Sequence, residues 1–111
     1  MENAKKELLE DLENKPKVLC AWVGMYEIYD YDDDGNSKYK KLFELKTNHT
    51  ENDFNSFLEL LNFDYDSGFG GQELFGYIWF EDGSWMERSE YDGSEWWDYK
   101  KVSNIPNKLK A

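Results

Sequence analysis

Apolar and polar residues alternate along this chain with a period that changes several times, and each change marks an element. Residues 2–14 place Ala4, Leu8, Leu9 and Leu12 at helical spacing, and Pro16 closes the segment. This predicts a short amphipathic helix over 1–15. VLCAWVGMYEIY, residues 18–29, is β-branched and aromatic, and its first half is apolar on both faces. It reads as a strand that is central in a sheet or covered on both sides. SKYKKLFELK then sets Tyr39, Phe43 and Leu45 against Lys40, Glu44 and Lys46, the alternation of a strand with one wet face. The two strands form a predicted hairpin over 18–47.

Thr50 reads as a helix N-cap, with Asp53 three residues on as its capping-box partner. Phe54, Phe57, Leu58 and Leu61 follow at i, i+3, i+4 and i+7, which gives a helix over 50–61 one buried face. After the glycine-bearing loop NFDYDSGFGGQE come LFGYIWFE, SWMERSEY and SEWWDYKK, separated by Asp82-Gly83 and Asp92-Gly93. Asp-Gly between alternating runs is a hairpin signal, because both residues tolerate positive φ. Residues 74–101 therefore read as a three-stranded meander, with a basic tail over 102–111. The expected fold is a single α+β domain over 1–111: an antiparallel sheet, made of the N-terminal hairpin and the C-terminal meander, with two helices packed mainly on one face.

Charge sharpens this outline. The formal net charge is −11, and it is unevenly placed. Between Asn48 and Tyr99 there are thirteen acids and one base, Arg88, whereas Lys100, Lys101, Lys108 and Lys110 follow with no acid among them. Such a surface repels nucleic acid and anionic membranes and attracts a basic protein surface. Aromatic residues make up 18% of the chain, too many for a disordered acidic segment. The lone Cys20 can form no internal disulfide, and the N-terminus has no apolar run, so a cytoplasmic protein is expected.

Two kinds of chemistry match the sequence only in part. Asp30, Asp32, Asp34 and Gly35 match the start of a calcium-binding EF-hand loop, but Lys41 stands where the bidentate glutamate belongs and Ser37 where an aliphatic residue is usual. Strand-like flanks make DYDDDGN a hairpin tip, an auxiliary acidic patch of Asp30, Asp32, Asp33 and Asp34; a looser calcium site there stays open as an alternative. For catalysis, His49 is the only histidine and adjoins a helix cap, and GFGGQE lacks the lysine of a phosphate loop. No enzyme, cofactor or metal is expected.

The informative constellation is the aromatic and acidic run near the end of the meander. Alternation sends Trp96 and Trp97 to opposite faces, so at least one is a candidate for exposure, and Trp79 with Phe80 repeats the problem one hairpin earlier. Exposed Tyr and Trp rimmed by acids mark interfaces. Glu81, Asp82, Glu87, Glu90, Tyr91, Asp92, Glu95, Trp96, Trp97 and Asp98 are accordingly the expected partner-binding residues, with Tyr91, Trp96 and Trp97 as the anchor.

The stretch GFGGQELFGYIWFEDGSWMERSEYDGSEWW, with Ile105-Pro106 beyond it, resembles small uncharacterised acidic accessory proteins of tailed phages and prophages, most distinctively in EYDGSEWW. The resemblance implies a setting, the cytoplasm of a bacterial host, and no residue roles. Accessory proteins of this kind resemble inhibitors of host defence, including DNA mimics and anti-CRISPR proteins, which occupy the nucleic-acid groove of an effector. The lysines of the N-terminal half depart from a uniformly acidic mimic. The resulting expectation is a non-enzymatic protein that blocks a basic, nucleic-acid-binding site on a host protein, binding no nucleic acid or membrane itself. An immunity protein of a nuclease toxin, a small metal- or glycan-binding module and a minor assembly protein are the alternatives.

Overall fold

A computed structural model describes residues 2–25, 41–65, 72–102 and 107–109. Its elements are β1 (Glu2–Asn3), α1 (Ala4–Leu12), β2 (Val18–Met25), β3 (Lys41–Leu45), α2 (Glu51–Leu60), β4 (Asp64–Tyr65), β5 (Leu74–Phe80), β6 (Trp85–Tyr91) and β7 (Ser94–Lys100), with a 3-10 turn at Asn107–Leu109. Five strands form one antiparallel sheet in the order β3-β2-β5-β6-β7, and β1 pairs with β4 in a separate two-stranded ribbon. The fold is α+β, and both parts of the expected sheet are present: the β2–β3 hairpin and the β5–β6–β7 meander, joined by antiparallel pairing of β2 with β5. The hairpin tip, with Asp30, Asp32, Asp33 and Asp34, lies outside the described residues.

Both β3 and β5 run antiparallel to β2, so the chain must cross that strand between them, and α2 lies on the crossing segment. Its start follows from two residues three apart. The Thr50 hydroxyl accepts from the Asp53 N–H at 3.1 Å, and the Asp53 carboxylate accepts from the Thr50 N–H at 2.9 Å. That reciprocal cap satisfies two otherwise orphaned donors. α1 begins later than its apolar spacing suggests, because Glu2 and Asn3 pair with Tyr65 and Asp64. Asn3 caps the helix by accepting from the Lys6 N–H at 3.0 Å, while its amide donates to Asn62 and Asp64. Lys5 and Glu59 form an ion pair between the two helices.

Ala4 and Leu8 of α1 and Phe57 and Leu58 of α2 are buried in one cluster with Val18, Ala21, Val23, Leu45, Leu74, Ile78, Phe80, Met86 and Trp97. Those strand residues share a parity in the register: Ala21 lies across from both Leu45 and Ile78, and Ile78 from Met86. Leu9, expected on the buried stripe of α1, is 41% exposed. The apolar start of β2 is explained by a bulge between Val18 and Cys20, which leaves Leu19 at the surface and returns Val18 to the core side. Gly76 sits on that side with φ +154°, where an added Cβ would come within 2.3 Å of the Trp22 carbonyl oxygen.

The two Asp-Gly turns differ. Asp92 and Gly93 both take positive φ, 52° and 86°, the expected two-residue hairpin. At the β5–β6 turn only Gly83 does. There the Gly83 N–H donates to the Phe80 carbonyl and the Phe80 N–H to Ser84, a three-residue loop closed by a glycine. Asp82 accepts from the Ser84 N–H and hydroxyl, and these bonds hold its carboxyl below the usual range. No helix among the described residues is long and apolar enough to cross a membrane.

Candidate functional site

Arg88, the only base between residues 48 and 99, sits in mid β6 with its side chain wholly enclosed. Its Nε and Nη2 donate to Glu95 Oε1 at 3.0 and 2.8 Å, Nη1 to Glu7 of α1 at 2.9 Å, and Nη2 to the Tyr65 hydroxyl at 2.6 Å. The guanidinium also lies 5.2 Å from the Trp97 ring centroid and 5.5 Å from that of Tyr65. Burial alone would lower the Arg88 pKa, but Glu7, Tyr65 and Glu95 outweigh it and the net direction is upward, so Arg88 stays a cation. Tyr65 is pushed well up by burial and by its bond to Glu7. Glu95 completes the set by accepting from the Glu73 and Leu74 N–H groups at 2.8 and 3.1 Å, where β5 begins. Among the described residues no buried side-chain polar atom lacks a partner. This cluster ties α1, β4, β5 and β7 to β6, and its charges are spent internally.

Two expected partner-binding residues, one of them an anchor, are thereby corrected. Trp97 is 7% exposed and Glu95 6%, so neither side chain is presented to a partner. The reason is parity: Trp97 lies across from Arg88 in the register, and Arg88 points at the core. Trp96 takes the opposite face and is 41% exposed.

That opposite face is where the aromatic residues collect. Register sets out one row across the sheet from Glu44 through Trp22, Tyr77 and Glu87 to Asp98, and a parallel row from Cys20 through Trp79 and Trp85 to Lys100. Five strands make the first row about 20 Å long. Tyr77 stacks on Trp79 with ring centroids 5.4 Å apart and tilts against Trp22 at 6.0 Å. Tyr77 and Trp79 are each 37% exposed. Trp96 lies across from Ser89 and Tyr91 across from Ser94, so these two aromatics are diagonal neighbours at the far corner. The sequence points to Trp79 and Trp85 but not to Trp22, Phe75 and Tyr77; the parity of residues 75, 77 and 79 within LFGYIWF was the available signal.

The remaining expected residues divide into separate groups. Glu87 and Asp98 stand on the aromatic face, with Glu87 paired to Lys100. Glu90, Tyr91 and Asp92 are exposed at the β6–β7 end. Glu81 and Asp82 occupy the β5–β6 turn, at the other end of the seven-residue β6 and about 20 Å away. They join no single patch with Asp92.

For other chemistry the described residues offer little. They contain no group of three His, Cys, Asp or Glu side chains placed to hold a metal ion. The His49 Nδ1 lies 2.6 Å from the Lys46 carbonyl and its ring stacks on Phe54, a structural placement beside the α2 cap. Comparison of the chain with protein-family models, curated proteins and solved structures finds no match.

Proposed function

We propose that the protein is a non-enzymatic binding protein that docks the aromatic face of its sheet onto a basic, nucleic-acid-binding surface of another protein and so blocks it. The observation that carries this reading is the cross-sheet row itself: exposed Tyr77 with Trp22 in the middle, Glu44 at one end and Asp98 at the other. Aromatic side chains supply large contact area at low entropic cost, and flanking carboxylates select a cationic partner and speed its approach. The net charge of −11 works in the same direction. A phage-encoded inhibitor acting on a host defence or nucleic-acid enzyme in the bacterial cytoplasm is the setting that fits this physics.

The test uses the full chain as bait at low and high salt, beside Trp96→Ala and Tyr77→Ser baits, with the retained protein then purified. The expected partner binds nucleic acid, is released as salt rises, is held less well by both variants, and loses its nucleic acid when the bait is added. A partner that keeps its nucleic acid in the complex, or whose affinity is flat in salt, refutes the blocking reading.

A further inference from the structure

At the β2–β3 side the aromatic face runs into a shallow cleft of about 590 Å³, lined among others by Trp22, Trp79, Cys20, Glu44, Lys46 and Asn48. Resting on the docking reading above, we infer that this cleft receives an arginine side chain of the basic partner, its guanidinium stacked on the Trp79 indole with Glu44 as counter-ion.

Three observations support this occupant. Trp79 stacks on Tyr77, with ring centroids 5.4 Å apart, and lines the cleft with 37% of its surface exposed. Glu44 is exposed and takes part in no ion pair among the described residues. The chain also holds its own guanidinium by the same combination, with Arg88 between the Trp97 and Tyr65 rings and against Glu95 and Glu7. A planar guanidinium stacks on an indole and meets a carboxylate edge-on at once, which a lysine ammonium does less well. Lys46 shares the rim and opposes any cation, so its removal has a predictable sign.

The probe is a blocked Gly-Arg-Gly peptide, compared with the same peptide carrying neutral, isosteric citrulline and followed through the Trp79 indole N–H resonance. The resonance is assigned by its loss in Trp79→Ala, and unchanged urea midpoints certify that the variants are folded. The arginine peptide is expected to shift this resonance and to bind about threefold or more tighter than the citrulline peptide. Glu44→Gln should abolish that preference, and Lys46→Ala should increase it about twofold. Equal binding of the two peptides, a preference that survives Glu44→Gln, or weaker arginine binding by Lys46→Ala each overturns the inference; the first points to a neutral ligand such as a glycan. If these arms fail while partner capture stays salt-dependent, only the cleft assignment falls. If capture is insensitive to salt, the docking reading falls whatever the peptides do.

Discussion

Replacing Arg88 with methionine removes the centre of the buried polar cluster while keeping a side chain of similar length. The change deletes four donated bonds: two to Glu95, one to Glu7 and one to the Tyr65 hydroxyl. What matters energetically is what stays behind. The Glu95 side chain has no exposed surface, so its carboxylate would be left buried without a cation, whereas Glu7, at 16% exposure, can turn towards water. Leaving one member of a buried pair uncompensated typically costs about 3–5 kcal/mol. For a domain of this size that lowers the melting temperature by about 12–20 °C, at about 4 °C per kcal/mol. Urea unfolding followed by far-ultraviolet circular dichroism, with thermal scans alongside, reads both numbers.

A second variant isolates the cause. In Arg88→Met/Glu95→Gln the stranded charge is gone, and the glutamine carbonyl still accepts from one of the Glu73 and Leu74 N–H groups. The double variant should therefore be more stable than Arg88→Met alone by about 1–3 kcal/mol, although it carries one more substitution. A loss below about 1 kcal/mol in Arg88→Met, or a double variant whose loss is the sum of the two singles, would show that Glu95 reaches solvent and that the cluster does not bind α1 to the sheet.

Other expectations follow from single positions. Trp97→Ala should cost about 3–5 kcal/mol in urea unfolding, because Trp97 is 7% exposed, while Trp96→Ala on the other face should stay within about 1 kcal/mol. Gly76→Ala should cost about 2–5 kcal/mol, since its Cβ would meet the Trp22 carbonyl oxygen at 2.3 Å and its φ of +154° disfavours any side chain; a melting curve unchanged from the parent would refute the close approach. Burial, and then the neighbouring Glu7, hold the Asp11 carboxyl above its ordinary range. A raised carboxyl favours folding below its unfolded pKa and loses that contribution as pH rises through the folded value, so ionised Asp11 works against the fold at neutral pH. Asp11→Asn should raise the melting temperature there, with the gain vanishing in scans below about pH 4.

What could be read from the sequence was what neighbours decide. The α2 cap needs only Thr50 and Asp53, three residues apart, and the Asp92-Gly93 turn needs only two residues that accept positive φ; both stand as their local chemistry requires. Alternation in β5, β6 and β7 likewise needs no distant partner. The face each parity adopts does need one, and there local reasoning stopped. Trp96 and Trp97 are equivalent by pattern, and the choice between them is made by Arg88 across the ladder and by Glu7, 81 residues away on α1. The β1–β4 ribbon, two residues on each side, is too short to leave a pattern, and the bulge at Leu19 disguises which side of β2 is buried.

The lone arginine among thirteen acids stands out in the charge count, but the count alone does not say which acids it holds. A single cation in such a field is where carboxylates converge, and those that converge are lost to any partner. Glu7 and Glu95 are held by Arg88, and Glu87 is paired with Lys100. Glu81 faces Lys17 at 4.0 Å from the far end of β6, where it cannot act with Asp92. Among the described residues, the carboxylates left beside the exposed aromatics are Glu44, Asp92 and Asp98, a smaller set than the seven acids expected from the 81–98 run. It follows that the aromatic rows must supply most of the affinity in the docking reading, and the acids mainly its orientation and on-rate. Salt should then slow association more than it hastens release, and truncating Tyr77 or Trp96 should do the reverse.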